Sequence, residues 1–265
     1  MTYNFRNDKR TETDYGILFS VMERMYGNGE KLFTDEKAYN KYANQWKTKL
    51  ESLDTNFIFE EVKNEREIFL KDNGYEAELY YCELYFDKFY FSVNMDVEKI
   101  LMDLKNTKFL TGKLNLNTLA NYGILNVPAD FNIPTVMIKD TPIIITEFIS
   151  GDYLYLIIDG NHRIKYWKKN NIEEVEYLFL KQEDMVRNNY FVSELDKYLY
   201  LLNNELLNLM ELRMRGFSEI RLLNNSFIRT DQILKIENFY DKVTGEPIKE
   251  KKSFLKAIAN SIANR

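Results

Sequence analysis

Two hydrophobic periodicities alternate along the chain. Tyr153 to Ile158 is an unbroken apolar and aromatic run, which predicts a strand buried on both faces, and it stops at Asp159-Gly160, a dipeptide suited to a tight turn. Beyond the turn, Ile164, Trp167 and Lys168 fall at i, i+3 and i+4 among polar residues, the pattern of a short amphipathic helix ending near Asn170-Asn171. A second apolar run, Val175 to Leu180, predicts the next strand. The order is therefore strand, Asp-Gly-Asn-His-Arg, helix, strand. Glu147 and Asp152 stand near the ends of a hairpin made with a preceding strand, Ile143 to Phe148, and Thr135 to Ile138 predicts another strand between Pro134 and that hairpin.

Upstream, Tyr15, Leu18, Phe19, Met22 and Met25 share one face of a helix from Asp14, and Thr34-Asp-Glu-Lys starts a second helix that runs through Leu50. From Asn56 the pattern turns to Phe-Ile-Phe-Glu-Glu-Val, and Tyr75 to Val93 approximates alternation. With turns at Asp72-Asn73-Gly74 and Asp87-Lys88, this predicts two or three antiparallel strands. A helix follows from about Asp96 to Lys105. In the last third, Leu195, Leu199, Leu202, Leu206 and Leu209 form one helical stripe, either core-facing or half of a homodimer seam. Arg213, Arg215 and Arg221 make a modest basic patch, Asp241 to Lys252 reads as an exposed turn, and Phe254 to Ile262 as a short amphipathic helix.

Composition narrows the class. With 45% hydrophobic and 15% aromatic residues, a chain of 265 residues can bury a proper core. A net charge of -5 argues against a uniformly basic nucleic-acid binder, and one Cys with one His cannot build a structural zinc site. The start of the sequence has no apolar signal region and no segment reaches the length of a membrane span, so the expected location is the cytoplasm.

The unusual polar chemistry is concentrated at the strand-to-helix junction. The first amides of a helix lack intrahelical partners and carry partial positive charge, so the junction suits an anion, and Gly160 removes a side chain that would keep a phosphate away. His162 and Arg163 add cationic donors, and His162 is the sole histidine of the chain. A carboxylate in reach, Asp159 foremost and then Glu147 or Asp152, could hold Mg²⁺ or act as a base. The alternative is that Asp159-Gly160 is only a turn and His162 only caps or packs.

Asp159-Gly160-Asn161-His162-Arg163 in this setting resembles the signature of the ParB/sulfiredoxin superfamily, whose core reads Gly-x-x-Arg. The resemblance covers about Leu119 to Lys181. It implies an α+β protein, with a ParB/sulfiredoxin-like mixed sheet over residues 109–182 between a family-specific N-terminal α/β region, 1–108, and a C-terminal helical region, 183–265. It further implies that the junction binds nucleotide phosphates, those of ATP or CTP with Mg²⁺. Gly160 would be the close-approach glycine, Asn161, His162 and Arg163 would line the phosphates, His162, Asp159 and Glu147 would serve catalysis, and Asp159 the metal. Position 161 is Asn where sulfiredoxins carry Cys, so sulfinic-acid repair has no nucleophile there, and His162-Arg163 replaces the ParB arginine pair. The leading expectation is phosphoryl transfer or nucleoside triphosphate hydrolysis. The alternatives are a nucleotide-gated or DNA-associated binding protein of a mobile element, and a metal-dependent nuclease.

Overall fold

A computed structural model describes residues 2–4, 9–11, 14–25, 31–55, 59–86, 89–104, 110–125, 141–150 and 153–234. In chain order the elements are β1 (Thr2–Asn4), β2 (Lys9–Thr11), α1 (Tyr15–Met25), α2 (Glu36–Thr55), α3 (Phe59–Asn73), β3 (Leu79–Phe86), β4 (Phe89–Asp96) and α4 (Val97–Leu104). There follow β5 (Leu110–Asn115), a 3-10 helix (Leu116–Tyr122), β6 (Ile124–Leu125), β7 (Ile143–Ser150), β8 (Tyr153–Asp159), α5 (Asn161–Lys169), β9 (Glu174–Leu180), α6 (Gln182–Arg187), α7 (Glu194–Met214), α8 (Glu219–Asn225) and α9 (Phe227–Thr230). The class is mixed α+β. The strand expected at Thr135 to Ile138, the turn at Asp241 to Lys252 and the helix at Phe254 to Ile262 lie outside the described residues.

The described residues divide into two compact units, Met1–Asp103 with Val186–Leu234, and Leu104–Met185. The helices after residue 186 cluster with the N-terminal part. The reason is visible in α7. Its leucine stripe is buried within the chain, with Leu199, Leu202 and Leu209 at 0% exposure, so the stripe belongs to the core of this unit. Asn203, Asn204, Glu205 and Asn208 are buried as well, which makes α7 a helix covered nearly all round.

Buried polar groups demand partners, and two of those on α7, Glu205 and Asp196, find them on neighbouring elements. Glu205 accepts from Trp46 Nε1 at 3.0 Å, Tyr42 Oη at 3.1 Å and Ser226 Oγ at 2.8 Å, and from the Phe227 amide, so one carboxylate joins α2, α7 and the start of α9. At the other end Ser193 caps α7 by accepting from the Asp196 amide, and Asp196 accepts from the amide and the side chain of Asn94 on β4, each at 2.8 Å. Burial raises both carboxyls, each to about 6.

One segment departs from the sequence expectation in this unit. Where Phe-Ile-Phe-Glu-Glu-Val suggested a strand, its described residues from Phe59 on open α3, with Glu60 and Glu61 in its first turn, Lys71 in its last, and Gly74 at φ 74° after its end. Between residues 59 and 96 the described antiparallel structure is accordingly one pair, β3 against β4, with Phe86 opposite Phe89.

The second unit carries a five-stranded mixed sheet in the order β5-β9-β7-β8-β6. Its central strand β7 runs parallel to β9 and antiparallel to β8. Strands flanked on both sides and covered on both faces are largely apolar, and Ile143, Ile144, Ile145, Leu156 and Ile157 are all at 0% exposure. Across β7, Tyr155 of β8 and Phe179 of β9 meet edge to face, with ring centroids 5.8 Å apart. α5 lays the fully buried Ile164 on this core, and Trp167 packs beside it. Because β9 is parallel to β7 and β8 is not, β8 ends and β7 begins at one edge of the sheet, the edge where α5 starts.

Candidate functional site

The junction forms where β8 stops. Gly160 adopts φ 96° and ψ 6°, a left-handed conformation that side-chain-bearing residues rarely take. A Cβ there would stand 2.5 Å from Ile143 Cγ2, so the space beside this glycine is filled by the start of β7. The glycine is required by the turn and by packing against Ile143, a different ground from the approach of a ligand that the sequence suggested. No side chain caps the α5 N-terminus that follows.

Arg163 is buried, at 7% exposure, and its donors are directed into the fold. Nη2 lies 2.6 Å from Asp159 Oδ2 and 3.4 Å from the Pro142 carbonyl, while Nη1 donates to Oγ1 of Thr141 at 2.5 Å and to the Thr141 carbonyl. The i, i+4 spacing of Asp159 and Arg163 brings the charges together across the turn, and Arg163 then fastens the first turn of α5 to the segment that leads into β7. Its guanidinium carbon also lies 5.9 Å from the Trp167 ring centroid. The residue expected on a phosphate is thus the latch of the loop.

Asn161 donates from Nδ2 to the Ile157 carbonyl at 3.0 Å, tying the helix start back to β8. Its Oδ1 is buried with no hydrogen-bond partner among the described residues. His162 is exposed at the open end of α5, the one cationic candidate of the motif that faces solvent.

The carboxylates do not assemble as expected. Ile144 is the β7 partner of Asp159, and Glu147 stands three residues further along that strand opposite Tyr155, about 10 Å away. There Glu147, at 5% exposure, accepts from the Gln182 amide at 2.8 Å and serves the start of α6. Burial lifts its carboxyl to about 7. Asp152 lies outside the described residues. Asp159 has its charge matched by Arg163, and among the described residues no group of three or more His, Cys, Asp or Glu is placed to hold a metal ion.

Next to the latch is a cavity of about 370 Å³ that sequence reasoning missed. Thr141 and Pro142, the acceptors of Arg163, line it, with Trp167 and Ile172 from α5 and the turn after it and Lys113, Glu174 and Glu176 from β5 and β9. The sequence signal for it was limited to the i, i+4 spacing of Arg163 and Trp167. The rest is brought together by strand pairing. In the other unit, Arg213 lies 3.3 Å from Glu219 and Arg215 pairs with Glu211, so two of the three arginines of the basic patch are already matched.

Comparison with protein-family models, curated proteins and solved structures found no match to the chain.

Proposed function

We propose that Leu104–Met185 is a nucleotide-binding module of the ParB/sulfiredoxin type, with the triphosphate held at the start of α5. The observation that carries this reading is an uncapped helix N-terminus placed behind a left-handed glycine and beside an exposed histidine. The helix amides and His162 bind phosphate oxygens. Arg163 acts as a positioning residue that sets the turn through Asp159 and Thr141. The order of strand, Asp-Gly-Asn-His-Arg, helix and strand supports the family reading, as does the agreement of this unit with the span of the resemblance.

Binding is favoured over phosphoryl transfer. Transfer needs a group that orients the attacking oxygen in line, and both candidate carboxylates among the described residues are committed elsewhere, Asp159 to Arg163 and Glu147 to Gln182. Thermal unfolding with inorganic tripolyphosphate, ATP or CTP tests the reading, since a saturating ligand stabilises the folded state by mass action. Each is expected to raise the midpoint of the wild type and to lose most of that effect in His162→Ala. Because His162 is the sole histidine, its imidazole proton signals need no assignment and should move on addition of tripolyphosphate. An unchanged midpoint together with an unmoved imidazole would sink the proposal.

A further inference from the structure

α5 departs from a charge pattern that other helices of the chain keep. A helix is stabilised by acidic side chains in its first turn and by opposite charges three or four residues apart. α2, α3, α4, α6, α7 and α8 each carry Glu or Asp in the first turn, whereas α5 has neither there. No acidic residue occurs in the sequence between Asp159 and Glu173, while His162, Arg163, Lys165, Lys168 and Lys169 all fall in that stretch. Lys168 and Lys169, in the last turn, suit the helix dipole. His162 at the start and Lys165 in the middle do not, so helix stability leaves them unexplained.

The fold turns these cations outward. Arg163, Ile164 and Trp167 pack α5 on its own unit, and the opposite side of the helix carries His162, Lys165 and Lys169, at i, i+3 and i+7, all exposed. Lys168 is exposed on the flank. The row from His162 to Lys169 runs about 10 Å along the helix axis. In a chain of net charge -5 this is a local reversal of sign.

Two neighbours of the row define what fits it. Half-buried Tyr166 stands at i+4 from His162 and i-3 from Lys169, so a phenol ring adjoins the cations at both ends of the row. Exposed Glu173 and Glu174 follow the helix and keep the positive field narrow, wide enough for one line of phosphates. A second strand would meet those carboxylates. The outward side holds no aliphatic side chain that could enter a bilayer.

We infer that the outer side of α5 binds single-stranded nucleic acid, with the phosphates along His162, Lys165 and Lys169 and a base stacked on Tyr166. This surface goes beyond the phosphate site proposed above, because it uses the length of the helix and not its first amides. Contacts to phosphates and to a ring face carry little sequence preference.

Fluorescence anisotropy of labelled oligothymidylate with the full chain is the test. Log affinity should fall against log salt with a slope of about -2 for the three lysines, at about 0.7 per contact on a single strand. Joint replacement Lys165→Ala and Lys169→Ala should weaken binding about tenfold or more at about 0.1 M salt and bring the slope to about -0.7. Tyr166→Leu should weaken binding about fivefold or more and leave the slope unchanged. No binding by the wild type at low salt, or an unchanged affinity in the lysine variant, would overturn the proposal. Tighter binding to a duplex of equal length, or competition by polyglutamate equal to that by unlabelled oligothymidylate, would overturn the choice of partner. A wild type that binds oligothymidylate without responding to tripolyphosphate would keep this surface and remove the phosphate site. The converse would overturn this surface and spare the phosphate site.

Discussion

Arg163 and Asp159 are an ion pair with side chains only 8% and 13% exposed, and they do not contribute symmetrically. Remove Arg163 and Asp159 keeps a largely buried charge with no cation, while the Thr141 and Pro142 carbonyls lose their donor. Remove the carboxylate and the guanidinium still has Thr141 and Pro142. Breaking one side of a buried pair costs about 3 kcal/mol or more, whereas losing one acceptor among several costs about 1–2 kcal/mol. In urea unfolding Arg163→Ala should therefore be clearly less stable than Asp159→Asn, and Arg163→Lys should recover only part of the loss because it lacks the planar fork. Equal or reversed costs would remove the latch. Glu147 makes the residue-scale case for pH. Burial raises its carboxyl from the usual range to about 7, so between about pH 4.5 and 7 the folded state holds a proton that the unfolded state has released. Stability from this group is present at low pH and declines as pH rises through that window. Glu147→Gln keeps an oxygen for the Gln182 amide without the buried charge, so it should match the wild type near pH 4.5 and exceed it at pH 8, by an amount on the order of 3 kcal/mol. A difference that does not grow with pH would show that Glu147 is not buried as described. The motif residues were legible because they are contiguous. What they touch was not, since Thr141 reaches Arg163 only through the pairing of β7 with β8.

At the scale of elements, short runs dominated by apolar residues were the most reliable guide: Ile143 to Phe148, Tyr153 to Ile158 and Val175 to Leu180 all became strands of the buried sheet. Such runs admit no amphipathic alternative, because both faces must be covered. Phe-Ile-Phe-Glu-Glu-Val misled for the opposite reason. Its apolar start is short, and the polar stretch after it has helix signals at both ends, Glu60 and Glu61 before and Lys71 with Gly74 after. α7 shows a different limit. Its leucine stripe identified one buried face, but the burial of Glu205 on the rest of the helix depends on α2 and the start of α9 donating hydrogen bonds to it, which no local pattern encodes. Glu205 is the test of that arrangement. Its Oε1 accepts from three side chains and its Oε2 from the Phe227 amide, so in Glu205→Gln the new amide must point a donor at a donor. A buried donor left unsatisfied costs about 1–3 kcal/mol. The expected result is a loss of that size at pH 7 by chemical denaturation, larger for Glu205→Ala. Unchanged stability in the glutamine variant would mean that the carboxylate is not what joins these helices.

At the scale of the molecule, the two tryptophans fall one to each unit: Trp46, fully buried against Glu205, and Trp167, packed on the sheet beside Arg163. Each unit therefore has its own fluorescent reporter. Both units bury their own large residues, Trp46, Tyr42 and Tyr200 in one, Tyr155, Tyr177 and Phe179 in the other, and each carries its own buried polar anchors. Chains built from separate cores need not unfold in one step. Trp46→Phe removes the indole donor of Glu205 and weakens the first unit, while Trp167 still reports the second. In urea, the Trp167 transition of Trp46→Phe should keep the midpoint that Trp167 shows in the wild type, whereas circular dichroism, which follows the helices of the first unit, should lose signal at lower denaturant. Saturating tripolyphosphate should then move the Trp167 transition upward and leave the Trp46 transition of Trp167→Phe in place, because only the unit that holds the ligand gains its binding free energy. A Trp167 midpoint that falls together with the helical signal in Trp46→Phe would show one cooperative fold, and would place the phosphate site under the control of the α7 core.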